Sequence, residues 1–253
     1  MNTLQMPGHL FLASLGKKML RPGGKKATER ILNHLQLNEN STVLEVAPNM
    51  GTTAIHLVKT YGCKVYGVDI HGPSLEKAKE NVRIAGFEDK IFLQMGDARK
   101  LPFEDETFDA VINEAMLTML PNKDKKKALQ EYYRVLKTGG RLGTHDVTLK
   151  VPPTEEIMKQ FWEILKMMAT PLSVMEWNEL YSELPFSNVD LHTGNMSLLS
   201  LDGLIRDEGW EGAMTILENA SRTNDSRTRF LEMASFFYEN TDIFGYCTVH
   251  STK

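Results

Sequence analysis

The chain is short of several things. It has little cysteine, no surplus of positive charge and no long apolar run. It also lacks the three-glycine turn that a dinucleotide pyrophosphate needs. Only two of its 253 residues are cysteines, Cys63 and Cys247. They lie far apart with no metal-ligand spacing, so neither a disulfide framework nor a metal site is expected. A formal net charge of −4 removes any general electrostatic case for nucleic acid. The basic stretch from Lys123 to Lys127 is interrupted by Asp124 and reads as a solvated helix face. No apolar segment reaches bilayer-spanning length. The N-terminus lacks a charged region followed by a long apolar core. A cytoplasmic protein without a membrane span is expected. Composition leaves the oligomeric state open.

What is present is a βαβ pattern. VLEVAPNMGTTA, from Val43 to Ala54, is an apolar strand, a short turn and a helix start. Lys64 to Val68 is a second apolar strand, ending in Asp69. Parallel strands joined by a helix bring their C-terminal ends to one sheet edge, where ligands settle. Gly51 opens the first helix without a Cβ, so a ligand and the backbone can approach closely. Asn49 tolerates a left-handed turn. Pro48 removes one N–H from that turn and fixes its φ. Asp69 is placed to accept hydrogen bonds from two ribose hydroxyls. With one glycine in the loop, NAD or FAD is disfavoured, and a nicotinamide oxidoreductase ranks low.

Ile91 to Met95 reads as a third strand, followed by Gly96-Asp97-Ala98. Phe108 to Ala115 reads as a fourth and Arg141 to Thr144 as a fifth. Val189 to Leu199 and Phe244 to His250 alternate like sixth and seventh strands. Residues 1–40 read as a helical lead-in, with helices from His9 to Leu20 and from Lys25 to Leu35. Arg21-Pro22-Gly23-Gly24 turns between them. Thr154 caps a helix whose first turn carries Glu155 and Glu156. Residues 201–241 read as an ordered insertion with helices from Glu211 to Ala220 and from Arg227 to Tyr238, too long for a loop. The expected fold is α/β: a Rossmann-like, seven-stranded, mostly parallel sheet with helices on both faces. Residues 41–253 are expected to form the main domain, with 1–40 packing over its ligand site and about 201–241 as a cap over the strand tips.

VLEVAPNMG, YGVDI, MGDARKLPFEDETFDAVINEAML and RVLKTGGRL, in that order, resemble the class I S-adenosylmethionine-dependent methyltransferases. Within them the chain is most similar to the small-molecule branch that includes the ubiquinone and menaquinone biosynthesis enzymes. The resemblance covers about Ala27 to Val147. It implies S-adenosyl-L-methionine as cofactor and a small-molecule methyl acceptor. It also implies that Glu45, Ala47, Pro48, Asn49 and Gly51 line the methionine moiety and that Asp69 binds the ribose. Ile70 would pack on the adenine, with Gly96, Asp97 and Ala98 at its edge. Glu114 and Ala115 would lie near the reacting methyl group. In similar enzymes the Arg21 to Gly24 turn lies at the cofactor's methionine end. Arg21 then pairs with a carboxylate, or is simply a linker arginine.

Methyl transfer needs alignment before it needs a base. His145, at the end of the fifth strand, is the candidate base because its ordinary pKa is near neutral; otherwise it is a hydrogen-bonded histidine closing a strand. Glu114 is the second candidate. Fourteen methionines either fill core gaps or furnish an adaptable apolar pocket. A cofactor-binding module without catalysis is the alternative function, motivated by the altered Ala47 to Met50 loop.

Overall fold

The computed structural model describes residues 3–253. Five parallel strands form the first part of the sheet: β1 (Thr42–Val46), β2 (Lys64–Asp69), β3 (Ile91–Met95), β4 (Phe108–Glu114) and β5 (Leu136–Leu149). β6 (Leu172–Ser173) adds two parallel residues to the end of β5. β7 (Ser187–Asn195) and β8 (Phe244–Thr252) are antiparallel. The order is β3-β2-β1-β4-β5-β8-β7. The sheet is therefore the expected one plus the short β6, which is too brief to carry a periodic signal. Strand order reverses between β1 and β4, which places a crevice at the tips of those two strands.

Helices cover both faces. On one, α2 (Gly24–Leu35), α3 (Thr52–Tyr61) and α4 (Gly72–Ala85) bury Ile31, Leu57 and Val82 against Val43, Val65 and Ala110. On the other, α5 (Asn122–Val135) and α7 (Val174–Ser182) bury Tyr132, Trp177 and Tyr181 against Val111, Leu142 and Val249. A third core joins α1 (Gly8–Ser14), α6 (Glu155–Leu165), α8 (Leu201–Ser221) and α9 (Asn224–Glu239) over Val147, Leu149 and Phe244. This is the cap, and it sits at the C-terminal end of β5.

Helix boundaries differ most from the sequence reading at two places, while α9 starts three residues before the expected Arg227. The first helix stops at Ser14 rather than Leu20, because Gly16 takes φ 103° and turns the chain. The first insertion helix starts ten residues before Glu211 and breaks at Gly209 (φ 76°, ψ 168°), where its two halves meet at an angle. Apolar periodicity on either side of that break looks like one short helix when only its second half is regular. Thr154 caps α6 as expected, accepting from the Ile157 N–H. Among the described residues, no helix is long and apolar enough to cross a membrane.

Candidate active site

The crevice contains a cavity of about 270 Å³. Its walls include Arg21, Glu45, Ala47, Pro48, Asn49, Asp69, Ile70, Glu114 and Ala115. Nine residues singled out from the sequence thus share one space. The turn after β1 makes this possible. Ala47 (φ 57°) and Asn49 (φ 49°) both adopt the left-handed conformation, as does Ala115 (φ 53°) after β4. Non-glycine residues pay to be there, and such positions cluster at ligand sites. Gly51 (φ 72°) closes the turn, donating to the Pro48 carbonyl at 2.8 Å, and starts α3. It supports the loop without lining the cavity.

Asp69 ends β2 and is 8% exposed. It accepts from the backbone N–H of His71 at 2.8 Å and of Asn49 at 3.3 Å. Those bonds fix the carboxylate at the cavity wall, and each oxygen keeps a lone pair for a further donor. Next to it, Ile70 is 67% exposed. An aliphatic side chain that open, beside a fixed carboxylate, suits the flat face of a base above a ribose.

At the opposite end lies a buried charge cluster. Arg21 Nη1 is 2.7 Å from Glu114 Oε2. Glu114 also accepts from Thr28 Oγ1, from Thr53 Oγ1 at 3.0 Å and from His145 Nδ1 at 3.1 Å. Burial pushes the Glu114 carboxyl up, but Arg21 and the His145 hydrogen bond outweigh it and hold it at about 2. Glu45 has the opposite balance. Burial pushes it up to about 8, with Arg21 opposing and Glu114 adding to the rise. Its Oε2 is buried with no hydrogen-bond partner. A protonated carboxylic acid with one bare oxygen, on the wall of a cavity, is a place where a cation would be welcome.

These contacts revise the two catalytic candidates. His145 lies inside β5, not beyond its end, and is fully buried. Its Nε2 accepts the Gly23 N–H at 3.0 Å. A backbone N–H can only donate, so Nδ1 carries the ring proton and gives it to Glu114. Both nitrogens are taken, so His145 has no lone pair free for a substrate proton. Glu114, held at about 2 by four donors, is no proton acceptor near neutral pH either. Both are positioning groups: His145 ties Gly23 and the Arg21 turn to β4. His145→Ala should therefore cost about 1–3 kcal/mol of stability by orphaning Gly23 N–H and one Glu114 lone pair. In a pH–rate profile the variant should keep the wild-type shape at reduced height; loss of a limb would restore the base.

Three further expected residues stand outside the cavity. Asp97 is clamped by Arg99, with Nη2 to Oδ2 at 2.7 Å, and Arg99 reaches on to Asp124 at 2.9 Å. That fork forms across the small Asp97–Lys100 bridge, and Asp97 is not among the residues lining the cavity. Gly96 donates its N–H to Asp69 C=O at 3.1 Å, and Ala98 packs under the sheet against the β4–α5 core. Gly23 also does not line the cavity. It is pressed against Tyr246, whose ring a Cβ would meet at 2.8 Å.

The cavity has lining residues outside the motifs, including methionines of the kind expected either to fill core gaps or to furnish an adaptable pocket. His9, Lys18 and Leu20 come from the lead-in, Met116 and Met119 follow β4, and Met167 follows α6. Their separation along the chain hides them. Burial lowers the His9 pKa, with His71 adding to the fall and Asp69 opposing it.

The family described as "Methyltransferase domain" matches residues 43–140. Those are the residues that form β1 to β4 and the tips around the cavity. An uncharacterized protein of Haemophilus influenzae is 46% identical over 97% of this chain and 98% of its own length. The demethylmenaquinone methyltransferase of Lactiplantibacillus plantarum is 33% identical over 57% of this chain and 60% of that protein. Residues 43–140 are a methyltransferase domain. The phosphoethanolamine N-methyltransferase 2 of Haemonchus contortus, solved with S-adenosyl-L-methionine, shares the fold with a TM-score of 0.79 at 17% identity. That likeness covers 97% of this chain and 57% of the other. The chain spans about three fifths of the length of the demethylmenaquinone and phosphoethanolamine enzymes. A methyltransferase domain across β1 to β4 counts against the nicotinamide reading.

Proposed function

We propose that the protein transfers a methyl group from S-adenosyl-L-methionine to a small, partly apolar molecule. The observation that carries this reading is the single cavity with a fixed carboxylate, Asp69, at one end and an Arg21–Glu114–Glu45 cluster at the other. The residues fit the cofactor. Asp69 takes the ribose hydroxyls, Ile70 takes the base, and Glu45 Oε2, which lacks a partner, takes the amino group. Arg21 faces the carboxylate. The cofactor supplies a methyl carbon bonded to a sulfonium, which is its own leaving group.

The chain's own part is alignment and exclusion of water. Good alignment supplies roughly 7–11 kcal/mol of a barrier. Leu20, Met116, Met119 and Met167 form the apolar side of the cavity. Methionines adapt to an irregular guest and contact soft or aromatic groups well. The acceptor is placed there, between the cap and the tip of β4. His9 lines the same space, and burial lowers its pKa. It is the residue assigned to receive a proton from the acceptor, in place of His145.

The test is a calorimetric titration with S-adenosylhomocysteine near pH 7 in two buffers of different ionisation enthalpy. Glu45, at about 8 in the free protein, should ionise when an amine cation settles beside it. About one proton should be released, so the apparent enthalpy should differ between buffers. Glu45→Gln should remove that difference. A methyl-release assay on a panel of thiols, phenols and amines then reports turnover. Binding without turnover on any acceptor would leave the chain a cofactor-binding module; no binding at all would sink the reading.

A further inference from the structure

A second polar concavity lies between the C-terminal end of α2 and strands β7 and β8. Its volume is about 480 Å³. His34 comes from α2, Asp190 from β7 and His250 from β8. Asp190 and His250 are direct cross-strand partners. One ligand atom from each of the three lies within 4.8 Å of the others. Among the described residues this is the one such trio of histidine, cysteine or carboxylate groups.

His250 makes the cluster unusual. It is only 3% exposed, yet neither ring nitrogen has a hydrogen-bond partner. Buried polar atoms without partners are rare in folded proteins and call for an explanation. The ring stacks on His34 with centroids 3.8 Å apart, which leaves both nitrogens unused. A neutral imidazole keeps one ring lone pair that a cation can take. Asp190 already attracts a cation: Arg30 Nη2 stands 3.6 Å from its carboxylate, a loose pair between half-exposed groups.

We propose that His34, Asp190 and His250 form a site for one divalent transition-metal ion of the zinc type. Two neutral imidazoles and a carboxylate are a ligand set that Zn²⁺ accepts, with water completing a tetrahedron. Bonds of roughly 2.1 Å place tetrahedral ligand atoms about 3.4 Å apart. His34 and Asp190 are exposed and close that gap by rotating their side chains. The guanidinium of Arg30 leaves Asp190 as the ion enters. An anion is disfavoured because Asp190 stands in the centre of the group. The ion would pin the end of α2 to the antiparallel edge of the sheet. The other end of α2 carries Thr28, which holds Glu114. The two sites thus share a helix but no residue.

The experiment is calorimetry and thermal melting of the full chain, free of any histidine tag, with ZnCl₂ alone. One Zn²⁺ per chain should bind and raise the melting temperature. His34→Ala and Asp190→Asn should each weaken binding at least ~10-fold. Both positions are on the surface, so the fold should survive either change. Arg30→Gln should tighten binding, because a competing cation is gone. Saturating S-adenosylhomocysteine should leave the affinity unchanged. Three results would overturn the proposal: no stoichiometric binding, binding indifferent to the His34 and Asp190 changes, or binding abolished by S-adenosylhomocysteine. The last would place the ion on His9, His71 and Asp69 in the cofactor cavity instead.

Discussion

Glu114→Ala is expected to cost about 3–5 kcal/mol of folding stability, because it leaves the Arg21 guanidinium buried without its partner. Arg21 is 8% exposed, and its Nη1 lies 2.7 Å from the Glu114 carboxylate. Urea unfolding at neutral pH measures the loss. The pH dependence gives an independent signature. Glu114 is held at about 2 in the folded chain, against an ordinary 4.5. A depressed carboxyl contributes stability that is fully present above about pH 4.5 and is lost as the pH falls toward 2. The wild-type stability curve should therefore descend in that window, and the variant's should be flatter there. Glu114→Gln should lose less than the alanine variant, since an amide still accepts from Thr28 or Thr53. An unchanged midpoint in the alanine variant would mean that Arg21 finds another partner, with Glu45 the nearest in character. The ion pair would then not be what holds the lead-in to β4.

Asp69→Ala should weaken S-adenosylhomocysteine binding by roughly 1–3 kcal/mol, about 5- to 150-fold, as for lost hydrogen bonds to a charged group. Its effect on stability should be smaller, because the freed N–H groups of His71 and Asn49 lie at the cavity wall and can turn to water. Asp69→Asn separates charge from shape: it keeps an acceptor oxygen and should lose less. Equal affinity in the wild type and the alanine variant would place the ribose elsewhere and undo the assignment of the β2 tip. The two predictions read different faults. Glu114→Ala acts on folding first, and Asp69→Ala acts on affinity first.

Much of this was legible in the chain itself. Largely apolar runs in β1, β2 and β4, without strict alternation, announce a parallel sheet, because strands buried on both faces cannot alternate. Motif spacing then puts Asp69, Asn49 and Glu114 at strand tips. What stayed hidden was pairwise. Sequence shows that His145 is at a sheet edge but not that Gly23, more than a hundred positions earlier, donates to it. Asp97 looks like a free acid until Arg99 folds back on it, a contact decided by a turn and not by a period. The same holds for His34, Asp190 and His250, which lie on three elements and meet only through the β7–β8 register. Met116, Met119 and Met167 carry no motif, and only the cap gives them a common wall. The sequence pattern is clear only from Glu211 onward, so the helical half before the Gly209 break carries no signal of its own.

Three donors of the lead-in converge on one carboxylate of the cap. Lys18 and Met19 give their N–H groups to Glu208 Oε1 at 3.0 and 2.8 Å, and Lys17 Nζ lies 3.4 Å away. Asp207 beside it accepts from the Lys25 N–H at 3.0 Å. The segment carrying Arg21 is thus gripped by residues translated nearly two hundred positions later. While the polypeptide is still on the ribosome, β1 to β4 can assemble but the strap across their tips has nothing to fasten to. Competence for the cofactor should therefore arrive late in synthesis, and a nascent chain arrested before residue 207 should hold the nucleoside poorly even with every motif already made.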